Sequence, residues 1–135
     1  MKSIKTKNIK QTVNFKATPH EVYEALIDSR KHSAFTGDKA IISRKVNGKF
    51  SAYSGGLRGK NLELVKDKKI VQAWQCIMRG WSKEYFSIAT FSLKKTKSGT
   101  KLEFTHAGVP ISCNASIAEG WRTYYWKPMK EMLEG

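Results

Sequence analysis

Apolar residues alternate with polar ones at the start of the chain. Ile9, Val13 and Phe15 share one parity, which predicts a first strand with a single buried face. The period then changes. Thr18-Pro19-His20-Glu21 reads as a helix start, with Thr18 as cap, Pro19 in the first position and Glu21 completing a capping box. Val22, Ala25 and Leu26 form the inner face of that short helix, and Asp28-Ser29-Arg30 breaks it. A second short helical turn carries His32 to Phe35. From Asp38 to Gly108 the pattern is that of an antiparallel sheet. Asn47-Gly48, between apolar runs at 41–46 and 49–53, predicts a tight hairpin. Further strands are expected over 59–65, 70–78, 84–93 and 100–107, separated by Lys66-Asp67-Lys68-Lys69, Gly80 and Thr96-Lys97-Ser98-Gly99. Trp74 and Cys76 are expected on one face of their strand, Ala73 and Ile77 on the other.

Pro110 stops the sheet, and Ser112 is expected to cap a long last helix. Ala118, Trp121, Tyr125, Met129 and Met132 recur at offsets of three and four, so they share one helical face. That much flat apolar surface needs a large partner, and the sheet is the only one big enough. Pro128, inside the helix, is expected to kink it near 124–128 so that it follows a curved sheet.

A chain of 135 residues fits one domain and can bury a core without metals or disulfides. We expect a basic tail over 1–8 and a single domain over 9–135. Cys76 and Cys113 form no CxxC pair and read as free thiols. No apolar run is long enough to span a bilayer, and the polar first ten residues do not read as a secretory signal, so a cytoplasmic setting is expected. The net charge of +14 raises the question of nucleic acid. Its lysines, however, are spread along the chain and through the turns, with few arginines among them. The expected partner is therefore an acidic protein surface rather than nucleic acid.

No catalytic set is visible. His20, His32 and His106 are scattered, Glu63, Glu84 and Glu103 are isolated, and no HExxH, GxSxG, GxGxxG or Walker-type run occurs. Gly55-Gly56 and Gly59 precede no helix, so they do not form a phosphate cradle. Neither a metal nor a cofactor is expected, and the chain is not expected to be an enzyme. The aromatics remain. Phe35, Phe50, Trp74, Trp81, Tyr85, Trp121, Tyr124 and Tyr125 are the candidate wall of a cavity between sheet and last helix.

A set of motifs in order resembles a known family. It comprises Thr18-Pro19 with Val22-Tyr23 and Leu26, then Ala34-Phe35-Thr36-Gly37 and Gly48-Lys49-Phe50-Ser51. Gly56, Gly59 and Leu62-Glu63-Leu64-Val65 follow, then Ile70-Val71-Gln72-Ala73-Trp74, Trp81 and Ser87-Ile88-Ala89-Thr90. Gly108-Val109-Pro110 and Gly120-Trp121 with Tyr124-Tyr125-Trp126 and Met129-Lys130 close the pattern. Over roughly residues 10–133 the chain resembles the C-terminal domain of activators of the 90-kDa heat-shock-protein ATPase, within the START-like, or helix-grip, superfamily. The resemblance implies an α+β fold: a curved antiparallel sheet of about seven strands wrapped around a long C-terminal helix, with two short helices after the first strand. It implies a non-enzymatic, monomeric co-chaperone-like module that binds the 90-kDa chaperone and stimulates its ATPase. Helix-grip relatives hold lipids, sterols, polyketides or hormones in the cavity, so a small apolar ligand is the alternative. The full co-chaperones carry a further N-terminal domain to which nothing in this sequence corresponds, so the resemblance carries the fold further than the activity.

Overall fold

The computed structural model describes residues 4–135. Seven strands form one antiparallel sheet: β1 (Thr6–Phe15), β2 (Ile41–Ile42), β3 (Lys49–Ala52), β4 (Leu57–Val65), β5 (Lys69–Cys76), β6 (Ser87–Thr96) and β7 (Gly99–Pro110). Their order is β1-β7-β6-β5-β4-β3-β2. Strands β2 to β7 are therefore a meander, and β1 closes the far edge against β7. Two helices, α1 (Pro19–Ile27) and α2 (Ser29–Thr36), follow β1. A last helix runs through α3 (Asn114–Gly120), a π-helical segment (Trp121–Trp126) and α4 (Lys127–Glu134). This is the α+β helix-grip architecture: the core lies between the concave face of the sheet and the three helices packed on it.

Local chemistry explains the early elements. Thr18 Oγ1 accepts from the Glu21 N–H while the Glu21 carboxylate accepts from the Thr18 N–H, so the capping box is formed. Asp28 closes α1 with its backbone and caps α2 with its carboxylate, which accepts from the Lys31 N–H. Val22, Ala25 and Leu26 are buried as their spacing predicts.

Several boundaries differ from the sequence pattern. Strand β1 begins at Thr6, not Ile9, because Thr6 and Lys7 pair with Pro110 and Val109 across a bulge. Residues 1–3 of the expected tail lie outside the described residues. The expected hairpin at Asn47-Gly48 is instead a loop over 43–48, since β2 pairs only as Ile41↔Ser51 and Ile42↔Phe50. Buried Asn61 holds that loop: its amide donates to the Ser43 and Lys45 carbonyls, and its own oxygen accepts from Gln72. Strand β6 begins at Ser87, not residue 84, and β5 stops at Cys76. The Gln75 amide collects the carbonyls of Ser82, Lys83 and Tyr85 and folds the intervening loop back on the sheet. Ser112 does not cap the last helix: Cys113 occupies that position, and no side chain caps there.

The last helix is where the pattern and the structure differ most. Its buried face runs Ile117, Trp121, Tyr125, Met129, with Leu133 partly buried, every step being four residues. An α-helix turns about 100° per residue, so four residues overshoot by about 40° each time, and a strict four-residue repeat leaves the face within a few turns. The wider π-helical segment removes part of that drift. Pro128 is its cause. It has no N–H to offer the Tyr124 carbonyl, and its ring crowds that turn, so the ladder widens and the Lys127 N–H reaches back five residues to Arg122. The expected kink is thus a local widening. It also explains why Met132, expected on the inner face, is 36% exposed.

Candidate functional site

An apolar groove of about 430 Å³ opens between β4, β5 and the last helix. Trp74 and Leu57 form its sheet wall, Ile117, Gly120 and Trp121 its helix wall, and Tyr53, Tyr124 and Ile77 its rim. Ile77 and Tyr124 are each 57% exposed, so the groove communicates with solvent. Among the described residues, no lysine or arginine lines it.

Three irregular features meet here. The turn after β3 places Tyr53, Ser54 and Gly55 consecutively in the left-handed region, at φ 51°, 55° and 98°. For the two non-glycine residues this costs on the order of 1 kcal/mol each. The turn holds the Tyr53 hydroxyl 3.3 Å from the Tyr124 carbonyl, the group that Pro128 cannot serve. Partial burial, with Tyr124 and Asp38 nearby, pushes the Tyr53 phenol up to about 12, so it remains a donor at neutral pH. The π-helical segment is the second feature. It turns both Tyr125 and Trp126 inward, which adjacent residues of an α-helix could not do equally.

The third is a pair of buried histidines behind the helix. The indole N–H of Trp121 donates to His106 Nδ1 at 3.0 Å, so the ring proton sits on Nε2 and is donated to Ser87 Oγ at 2.7 Å. Ser87 in turn donates to the Trp74 carbonyl at 3.0 Å. On the other side, His32 Nδ1–H donates to the Leu26 carbonyl at 3.1 Å, and Nε2 accepts the Tyr125 hydroxyl at 2.9 Å. Both rings are therefore neutral acceptors for the helix. Burial pulls the His106 pKa down to about 3 and the His32 pKa down to about 4, the latter against the opposing bond to Leu26. Burial raises the Tyr125 phenol well above its ordinary range, with Tyr53 and Cys76 adding to the effect. The His106–Ser87 pair resembles a base and nucleophile, but both are almost fully buried and the serine proton is committed to a carbonyl. Among the described residues, no three His, Cys, Asp or Glu side chains cluster as a metal site would require. Nor is any helix among them long and apolar enough to cross a membrane.

Of the eight aromatics expected to share a cavity wall, the structure brings Trp74, Trp121, Tyr124 and Tyr125 to the groove. The other four lie elsewhere. Phe35 packs behind the helix, with its ring centroid 4.8 Å from His32 and 5.4 Å from Tyr125. Trp81 stands edge-on to Trp74 at 5.6 Å and donates to the Tyr85 carbonyl. Tyr85 turns away to donate to the Gly108 carbonyl. Phe50 lies outside the open groove, on the inner face of the sheet against Gly59, where it meets Trp74, Trp121 and Tyr125 around a small internal void. Two aromatics of this region were not among the candidate wall residues. Tyr53 forms the strained rim, and nothing in its neighbourhood announces a positive φ before Gly55. Trp126 stacks on Trp121 at 5.5 Å and donates to Gln11 Oε1 at 2.6 Å. Pro128 was the available signal for it, once a widened turn rather than a kink is considered.

The family model described as Activator of Hsp90 ATPase homolog 1-like protein matches residues 16–134. The Dictyostelium discoideum protein named Activator of 90 kDa heat shock protein ATPase homolog is 32% identical over 118 residues, covering 87% of this chain and 30% of that protein. The human Activator of 90 kDa heat shock protein ATPase homolog 1 is 27% identical, covering 87% of this chain and 34% of that one. The chain thus spans about a third of the length of these curated relatives. A crystal structure of an HSP90 activator from Plasmodium falciparum superposes with a TM-score of 0.87 at 26% identity, covering 94% of this chain and 96% of the other.

Proposed function

The chain belongs to the family of Activator of Hsp90 ATPase homolog 1-like proteins, and on that premise we propose that it is a non-enzymatic module that binds a 90-kDa heat-shock chaperone and raises its ATPase rate. The observation that carries this reading is the family match, which runs unbroken from the end of β1 to the end of α4. A Plasmodium HSP90 activator shares the fold over almost the whole length of both chains, which supports it. The ATP site belongs to the partner. Stimulation then requires only that the module bind the closed, nucleotide-loaded chaperone more tightly than the open one, since a ligand shifts an equilibrium by its differential affinity alone. A net charge of +14 steers it toward an acidic surface, more strongly at low salt. The free thiols Cys76 and Cys113 fit the reducing cytoplasm where such a partner would be met.

A small apolar ligand in the groove is the second reading, supported by the groove's volume and lining. Its open rim offers such a ligand an incomplete enclosure. The test is an ATPase titration of the chaperone with the purified chain at ~50 mM salt, paired with native mass spectrometry of the chain. The first reading expects a saturable rise in turnover and a bare chain mass. A retained apolar molecule with no rise in turnover favours the second.

A further inference from the structure

Among the described residues the groove under the helix has no lysine or arginine in its lining, which directs attention to the charge elsewhere. The outer face of the sheet shows where. Register places Lys49 beside Lys60, Lys60 beside Ala73 and Ala73 beside Ile88, one outward row across β3, β4, β5 and β6. Phe86, just before β6, lies beside this row. A hollow of about 310 Å³ opens there, with Lys49, Arg58 and Lys60 around it and Ala73, Gly59 and Phe86 in its lining. Phe86 is 44% exposed and Ile88 37%.

The cations at this end are unspent. Toward the other end of the same face, Glu63 pairs with Lys69, and Glu103 is shared by Lys94 and Lys101. Among the described residues, no carboxylate lies within ion-pair distance of Lys49, Arg58 or Lys60. Lys83 and Glu84 sit in the loop ahead of Phe86, adjacent and opposite in charge. Arg58 is also held in place. Its Nε donates to Gln75 Oε1 at 2.7 Å, and Gln75 is itself buried and anchored to three loop carbonyls. A fixed guanidinium loses little freedom on pairing with a carboxylate, and its fork suits that group.

We propose that this outer face, around Lys49, Arg58, Lys60 and Phe86, is the surface that docks the chaperone, and that it receives an acidic protein segment with an apolar side chain at its centre. The proposal rests on the chaperone-binding reading above and adds its location and chemistry. Of the two rings lining the hollow, Phe50 is buried and only Phe86 is exposed; a single exposed ring suits a protein better than single-stranded nucleic acid, which is read by successive stacking platforms.

The test uses calorimetry of the full chain with the nucleotide-bound chaperone at several salt concentrations. The Lys49→Glu/Lys60→Glu variant is expected to weaken binding at least ~10-fold at low salt and to flatten the dependence on salt. Phe86→Ser is expected to weaken it ~5-fold or more and leave the salt dependence unchanged. Lys95→Glu/Lys97→Glu makes the same change in net charge at the far end of the sheet and is expected to stay within ~2-fold of the parent. All these side chains are exposed, and unchanged thermal midpoints will show that the variants are folded. If the parent binds and the two double variants weaken equally, or neither weakens, the location is wrong while chaperone binding stands. If the parent does not bind at all, the functional reading fails and takes this proposal with it. Tighter binding of a single-stranded oligonucleotide through the same lysines, or a self-association that Lys49→Glu/Lys60→Glu abolishes, would assign the face to a different occupant and overturn the proposal.

Discussion

Acidification from pH 7.5 to pH 5 should remove about 4 kcal/mol of stability, and two histidines should account for it. His32 and His106 are neutral in the fold, with pKa values pulled down to about 4 and about 3, against 6.5 when exposed. A lowered histidine pKa means that the unfolded chain binds protons first. The stabilisation is therefore complete above pH ~6.5 and is lost as pH falls from there through the folded values. At pH 5 each ring is about 1.5 units below its unfolded pKa, and each unit is worth about 1.4 kcal/mol, giving about 2 kcal/mol per ring. Glu21, Asp28 and Asp38 are also held below their ordinary values by caps and hydrogen bonds, but those values are 4.5, 3.8 and 3.8, so their losses fall mainly below pH 5. The assay is urea denaturation at half-unit pH steps, with the imidazole nitrogen shifts followed by NMR. His32→Gln and His106→Gln each remove one titrating ring and should each halve the slope, whatever their baseline stability. Equal unfolding free energies at pH 7.5 and 5, or an imidazolium signal from either ring in the native state at pH 5.5, would refute the assignment of both rings as neutral acceptors.

Two further perturbations test the packing. Trp121→Ala should cost about 3–5 kcal/mol by thermal or chemical denaturation, because it empties a buried site and strands the His106 acceptor; a parental melting curve would mean that the helix does not close the core. Asn61→Ala should cost about 2–3 kcal/mol and speed amide exchange in the 43–48 loop, since it deprives two loop carbonyls and Gln72 of partners; unchanged exchange there would show that the loop is held some other way.

Much of this fold was legible because its signals are local. The parity of Ile9, Val13 and Phe15, the capping box at Thr18 and Glu21, and the turns at 66–69 and 96–99 each depend on a few neighbouring residues. The misreadings come from contacts distant in sequence. Asn61 and Gln75 each take hold of a loop and shorten the strand beside it, and no window around Asn47 or Glu84 contains them. The site was half legible for the same reason. Trp74 and Trp121 point into the groove by simple periodicity. Trp126 faces inward only because a proline two residues later widens the turn, and Tyr53 forms the rim only because its backbone adopts a conformation its type seldom takes. The histidines read as scattered because their partners, Trp121 and Tyr125, come together only when the helix docks.

The proposed function requires that this chain bind a 90-kDa heat-shock chaperone and favour its closed state. The most direct measurement is the dissociation constant of the pair by calorimetry at ~50 mM salt, where steering by the +14 charge is strong, with the chaperone nucleotide-free and then held with a non-hydrolysable nucleotide. Binding to the open form should be weak and binding to the closed form at least ~10-fold tighter, declining as salt rises. Equal affinity for the two forms, or no heat of binding to either, would contradict it.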